Sequence, residues 1–315
     1  MKAVVVHEAG GPEKLQIEER PIPQATKNAS VMKIHAFGVH RYEVLTRQGG
    51  SPSVKFPRVI GIEAVGELYE PSSNSKLTKG QKIFTIAGGF GRAFDGSYQE
   101  YALVPDEQVY TVDFDGPWDK LANYPETFYT AFGALKTVKA QAGESLLVRG
   151  GTTGVGMAAI VLAKAMGMKV TATSRRTERL QLLLNLGADH AILDTNGKIE
   201  TKNNFDKVVD MIGAVSIQDT LSHLKRGGFY TLVGMLSGQW LWNDFDPYEN
   251  IGEKYISAFD GDVRQNWLDE MFTMINQNHL EIPISKVFKF DDIQQAQEYV
   301  MKRDRPIGQV IVTID

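Results

Sequence analysis

The sequence predicts an α/β protein in two parts, a β-rich domain and a doubly wound parallel sheet. Three observations carry that expectation. The chain has 315 residues, which at roughly 150 residues per domain suggests about two domains. Short strand-like runs broken by Gly and Pro fill the first third, and from Leu121 strands alternate with helical segments. A glycine-rich loop then stands between an expected strand and an expected helix.

Taken in order, runs over residues 2–6, 15–19 and 31–39 open the β-rich part, separated by Gly10-Gly11-Pro12 and Pro21-Ile22-Pro23. Runs over 59–69, 81–86 and 98–104 continue it, a pattern that suits a small barrel or sandwich. Past Leu121, a strand over 145–149 leads into a helix over 154–166. There Val155, Ala159, Leu162, Ala163 and Met166 recur at helical spacing. A strand over 169–173, a helix over 177–186 and a short strand over 191–193 follow; 207–212, 230–233 and 255–259 bring the strands to six. The tail reads as helix 263–277, strand 285–290, helix 293–302 and strand 308–313. A lone closing strand cannot finish an independent domain, so the tail is expected to rejoin the β-rich part. The domains are therefore expected at 1–120 with 262–315, and at 121–261.

Charge and composition exclude several classes. Lys and Arg number 34 against 38 Asp and Glu, a net charge of −4 and a pI near 5.9, which argues against nucleic acid as the partner. With 43% hydrophobic and 23% charged residues the chain has ordinary globular composition. There is no Cys, which removes disulfides, thiolate catalysis and Cys-ligated zinc. The apolar start ends at His7, Glu8 and Gly10, too soon for a secretory peptide. No run approaches the ~18 apolar residues of a membrane helix. The expected address is the cytoplasm, with no membrane partner.

The most specific signal is Leu146-Leu147-Val148-Arg149-Gly150-Gly151-Thr152-Thr153-Gly154-Val155-Gly156. Glycines after a strand permit a tight turn and close backbone approach to a pyrophosphate, and the following helix N-terminus presents free N–H groups. Gly151 and Gly156 fit the outer positions of G-x-G-x-x-G, whereas Thr153 stands at the middle one. The hydroxyls of Thr152 and Thr153 are expected to donate to phosphate oxygens; the bland alternative is a tight turn without a ligand. After the next strand comes Ser174-Arg175-Arg176, where a site for NAD would place a carboxylate on the ribose. A hydroxyl and a guanidinium suit a 2′-phosphate instead, with Arg179 one helical turn from Arg175 if the helix has begun. These residues favour NADPH, against the alternative of solvated surface arginines.

The chain resembles the zinc-free quinone oxidoreductases of the medium-chain dehydrogenase/reductase superfamily over essentially its whole length. The resemblance rests on Gly61-Ile62-Glu63-Ala64-Val65-Gly66, Asp95-Gly96-Ser97-Tyr98-Gln99-Glu100-Tyr101, Pro125-Glu126-Thr127-Phe128-Tyr129-Thr130-Ala131, the glycine-rich loop and Arg226-Gly227-Gly228. It implies a GroES-like catalytic domain, an inserted Rossmann domain, NADPH and a homodimer. The zinc alcohol dehydrogenases of this superfamily carry a Cys ligand after the third strand and a His in a Gly-His-Glu segment. Here the first region reads Gly38-Val39-His40-Arg41-Tyr42-Glu43 and Ile62 stands where the His would be; with no Cys in the sequence, the resemblance implies no metal.

By the same resemblance, His40 and Tyr42 are the candidate catalytic donors, with Glu43 orienting their loop and Glu63 a structural acceptor. His40 serving only as a cap for the following helix is the plainer alternative. Backbone near Val233-Gly234 and Ser257 to Phe259 is expected to hold the nicotinamide, with Thr130 touching it and the pocket between the domains. Without a Lewis acid, acceptors already primed for hydride are favoured: quinones and α,β-unsaturated carbonyls. The alternatives are an alkenal or enoyl double-bond reductase, and a non-catalytic NADPH-binding redox sensor or structural protein.

Overall fold

Runs of Val, Ile, Phe and Tyr build the first unit, which comprises Met1–Glu126, Asp262–Gln265 and Pro283–Asp315. The computed structural model describes residues 1–239, 241–242 and 245–314. Strands β1 (Lys2–Val5) and β2 (Gln16–Glu19) form an antiparallel pair. The long strand β3 (Ala29–Gly38) leads into helix α1 (Arg41–Arg47), then β4 (Glu63–Glu70), β5 (Lys82–Ile86), β6 (Tyr101–Pro105) and β7 (Tyr110–Thr111). The run expected over 59–69 becomes regular strand only at Glu63, because Gly61 at φ +104° breaks the extended path. Helix α2 (Trp118–Leu121) closes this segment, and α3 (Pro125–Thr137) begins at its last residues.

The second unit, Thr127–Gly261 with Asn266–Ile282, holds the parallel sheet. Its elements are β8 (Ser145–Arg149), α4 (Gly154–Ala165), β9 (Lys169–Ser174), α5 (Leu180–Asn185), β10 (His190–Thr195), β11 (Lys198–Ile199) and β12 (Phe205–Asp210). Then come α6 (Ile217–Ser222), β13 (Leu224–Leu232), α7 (Pro247–Asn250), β14 (Tyr255–Ala258) and α8 (Gln265–Asn278). The strand order is β11-β10-β9-β8-β12-β13-β14. The six expected strands are parallel; β11 is an addition, antiparallel to β10 through Asn196 (φ +53°) and Gly197 (φ +76°). Those two positive φ values make the tight hairpin turn for which Asn-Gly is suited. The helix expected over 177–186 divides into a 3₁₀ turn, Thr177–Arg179, followed by α5.

The tail returns to the first unit as β15 (Ile284–Lys289), α9 (Ile293–Met301) and β16 (Gln309–Thr313). Strand β16 pairs antiparallel with β3, matching Ile311 to Gly38 and Val312 to Phe37, and β15 lies parallel to β16. Ile34, Phe37, Val59, Ile60, Phe90, Tyr98, Val310 and Val312 share one core here. The tail does not return as a whole, however. Residues 266–282, expected with the first domain, belong to the second unit, where Leu268, Met271 and Ile275 form a buried stripe at helical spacing. Residues 121–126, expected with the second, belong to the first. Among the described residues no helix is long and apolar enough to cross a membrane.

Candidate active site

At the end of β8 the chain turns through Gly150, whose φ of +87° favours glycine. Thr173 holds the turn: its Oγ1 accepts from the Gly150 N–H at 3.0 Å and its carbonyl accepts from the Gly151 N–H at 3.0 Å. Thr153 is the N-cap of α4; its Oγ1 accepts from the Gly156 N–H and donates to the Gly150 carbonyl, both at 2.9 Å. Its one hydroxyl proton is spent inside the loop, which corrects the expectation that Thr153 donates to phosphate. A Cβ on Gly156 would come within 2.4 Å of the Gly150 carbonyl oxygen, so this glycine permits close packing of helix on strand. The N–H groups of Thr152, Gly154 and Val155 have no partner among the described residues. They are a ready donor set for a diphosphate at a helix N-terminus.

Ser174 also needs correction. Its hydroxyl accepts from the Arg176 N–H at 3.1 Å and donates to the Arg176 carbonyl at 3.0 Å, closing a turn rather than standing free. Arg175 is exposed and precedes the 3₁₀ turn, so it is not one helical turn from Arg179. Arg176, named in that segment but given no contact from the sequence, joins them and makes a loose pair with Glu178 at 3.7 Å. Burial, then the charges of Arg176 and Arg175, push the Arg179 guanidinium down. Three like charges gathered at one strand end suit a polyanion.

The nicotinamide candidates lie at neighbouring strand ends. The Val233 N–H donates to the Asp210 carbonyl at 2.8 Å, and Gly234 packs beside Met211. The Ser257 hydroxyl donates to the Tyr230 carbonyl at 2.9 Å. The Phe259 ring lies 6.3 Å from that of Tyr129, and a Cβ on Gly133 would come within 2.3 Å of it, so α3 meets Phe259 along the turn carrying Thr130. These residues cluster at the carboxyl ends of β8, β9, β13 and β14, beside the point between β8 and β12 where the strand order reverses. Ligands of open α/β sheets bind at such a point.

Sequence reasoning also missed Arg149, the fully buried last residue of β8. Its Nε donates to Asp194 at 2.9 Å, and its Nη1 donates to Asp219 at 2.7 Å and to Thr220 at 2.6 Å. Asp210, equally buried, accepts from the Ile212 N–H at 2.6 Å and lies 3.2 Å from the Thr220 hydroxyl. Burial pushes the Asp210 carboxyl up, against the Ile212 bond and the Arg149 charge.

In the first unit, β3 delivers a second cluster. The Val39 N–H donates to the Val310 carbonyl at 2.8 Å, and His40 then caps α1 with its own N–H donating to Glu43 at 2.8 Å. His40 Nε2 donates to Glu63 at 2.7 Å, and the Glu126 carboxylate is 3.9 Å away. Glu63 also accepts from the Glu126 N–H at 2.8 Å, so both of its oxygens are used. Only glycine fits at position 38: a Cβ there would stand 2.2 Å from Glu63 Oε1 and 2.7 Å from His40 Nε2. Burial alone would lower the His40 imidazole; Glu43, then Glu63 and Glu126, outweigh it and raise it to about 10. Burial pushes Glu43 up to about 7, with the His40 charge pulling against it. The expected donor role of His40 is therefore narrowed, since its Nε2 proton is committed to Glu63. Tyr42 is half-buried; its hydroxyl accepts from Ser51 at 3.3 Å and its ring lies 5.2 Å from the Arg92 guanidinium.

Zinc does not fit these donors. A ligating imidazole must offer a lone pair, while His40 Nε2 carries a proton to Glu63, and Ile62 offers only hydrocarbon. Among the described residues no group of three or more His, Asp or Glu is arranged to hold a metal ion.

Comparison with known proteins agrees with both units. Residues 26–113 match the alcohol dehydrogenase GroES-like domain, and residues 154–258 match the zinc-binding dehydrogenase family. A quinone oxidoreductase of Pongo abelii is 31% identical over 74% of this chain and 73% of its own length. A quinone oxidoreductase of Rattus norvegicus is 30% identical over 100% of this chain and 98% of its own length. A mycobacterial protein solved in complex with NADPH superposes with a TM-score of 0.86 at 23% identity, covering 99% of this chain and 100% of that one. Together with the glycine-rich loop at the strand switch, these matches show that the chain belongs to the medium-chain dehydrogenase/reductase superfamily, as an oxidoreductase of its quinone oxidoreductase branch.

Proposed function

We propose that this oxidoreductase reduces a quinone or an α,β-unsaturated carbonyl with NADPH and without zinc. The observation that carries the reading is the meeting of open N–H donors at β8 with three guanidiniums at β9. Gly151, Thr152, Gly154, Val155 and Gly156 would hold the diphosphate, and Arg175, Arg176 and Arg179 the 2′-phosphate. Thr130, Val233, Gly234, Ser257 and Phe259 would hold the nicotinamide, which supplies a hydride when bound. In the first unit, Glu63 fixes the His40 ring and keeps its charge near the loop bearing Tyr42. That positive charge favours the oxygen of the acceptor that gains negative charge during reduction. A cation held in place before the reaction needs no reorganisation at the moment of need. The exposed outer strand β14, with Tyr255 59% exposed, leaves a sheet edge for a second copy and supports a homodimer.

Steady-state oxidation of NADPH by a simple quinone tests the reading, with elemental analysis for zinc alongside. Turnover with NADPH, preferred over NADH and unaffected by chelator, is the expected result. Absence of turnover with both quinones and enones would overturn it.

A further inference from the structure

We propose that Arg92, which lies over the Tyr42 ring, selects acceptors bearing a carboxylate; this rests on the reductase reading above. Arg92 sits on a loop pinned on both sides. Ala87 N–H donates to the Ile62 carbonyl at 2.9 Å, the Phe90 side chain is fully buried, and Asp95 accepts from the Val59 N–H at 3.1 Å. Gly91, at φ +72°, lies so close to Gly61 that a Cβ would come within 2.2 Å of the Gly61 carbonyl oxygen. The loop is thus fastened two residues before Glu63, and Arg92 reaches over the ring of Tyr42 in the first turn of α1.

The other arginines of this neighbourhood are paired. Asp95 takes both Arg58, at 3.0 Å, and Arg20, at 3.2 Å. Arg92 has no carboxylate partner among the described residues, and its buried Nε has no hydrogen-bond partner. A guanidinium held over an aromatic ring by a cation–π contact keeps N–H groups for hydrogen bonds. Its two outer nitrogens match the two oxygens of a carboxylate in one plane. The carboxylates closest in sequence to Tyr42 and Ile62 are already committed, Glu43 to the His40 N–H and Glu63 to the His40 ring. The missing counter-charge is then one that the acceptor brings.

β-Benzoylacrylate and its methyl ester share one enone and differ by one charge, so they isolate this contact. Turnover with NADPH would be measured for both in the unmodified protein, Arg92→Gln and Arg92→Lys, and binding of the acid by calorimetry without coenzyme. Arg92→Gln should lower kcat/KM and affinity for the acid about ten- to hundredfold, the scale of a charge-assisted hydrogen bond. The ester should change less than about threefold, since it makes no such bond. Arg92→Lys should restore part of the preference, and in the unmodified protein added salt should weaken the acid and spare the ester. Arg92-dependent binding of the acid without any turnover would uphold this contact and sink the reductase reading. If the acid binds the unmodified protein no better than Arg92→Gln, or binding of the acid is insensitive to salt, the contact is only packing and the proposal falls.

Discussion

Each unit buries one basic side chain among three carboxylates, and the two side chains differ in kind. In the second unit Arg149 faces Asp194, Asp219 and, through Thr220, Asp210. In the first, His40 faces Glu63, Glu43 and Glu126. Arginine keeps its proton at any pH a protein survives, so the first of these networks is fixed charge. Histidine can gain or lose one, so the other is adjustable. The fixed network stands at the foot of the loop that would grip a coenzyme, where rigidity is useful. The adjustable one stands beside the loop bearing Tyr42, where the proposed acceptor would gain charge. Similar compositions therefore do different work because one cation can titrate and one cannot.

The comparison breaks most visibly at Arg149. Arg149→Met strands buried carboxylates, and a loss of about 3–5 kcal/mol in urea unfolding is expected, as for a buried ion pair stripped of one partner. His40→Gln should instead reach activity, lowering kcat with a quinone by about 10²–10³, the range for losing a preorganised charge or donor at a developing oxyanion. Its dissociation constant for NADPH should stay unchanged; if quinone kinetics are unchanged as well, His40 is only a helix cap. Arg175→Ala tests the coenzyme end. One exposed charge-assisted contact is worth roughly 1.5–3 kcal/mol, or about ten- to hundredfold in NADPH affinity, with NADH nearly untouched. Equal dissociation constants for both coenzymes in the unmodified protein would reduce these arginines to surface charge.

A further expected effect is a slope with pH. The His40 imidazole is raised in the fold from 6.5 to about 10 and the Glu43 carboxyl from 4.5 to about 7. In both cases the folded state holds a proton that the unfolded state gives up sooner, so stability falls as pH rises. The Glu43 contribution is lost as pH rises through about 7, and that of His40 is lost through about 10. Unfolding measured from pH 6 to 10 should show this decline, and His40→Gln should flatten its upper part. A profile identical in both proteins would show that the imidazole is not held charged.

Much of the scaffold was legible because alternation and glycine punctuation are local signals. Strand β3 and the returning β16 were readable from their apolar runs. Helix α3 was not. Phe128, Tyr129, Ala131, Phe132, Ala134 and Leu135 are all buried, so it shows no polar stripe from which a period can be taken. The α8 stripe was visible, but a stripe does not say which core will take it. Asn196-Gly197 is a readable hairpin signal, lying between the strands expected over 191–193 and 207–212. In the candidate site, glycines and arginines announced a phosphate loop, yet whether Thr153 and Ser174 spend their hydroxyls on nearby backbone depends on turn geometry. The partners of Arg149 lie 45 and 70 residues away and that of His40 lies 23 away, distances set by sheet register and invisible to local pattern.

The bond from Val39 to Val310 has a consequence for how the chain is made. The strand that delivers His40 pairs with β16, which a ribosome supplies only after the whole parallel sheet. At about 5–20 residues per second, the 271 residues between them (310 − 39) take roughly a quarter of a minute to a minute. The strands of the parallel sheet, all within Thr127–Gly261, emerge before that. During translation the strands of the parallel sheet are therefore made before the bond that fastens the loop bearing His40 can form.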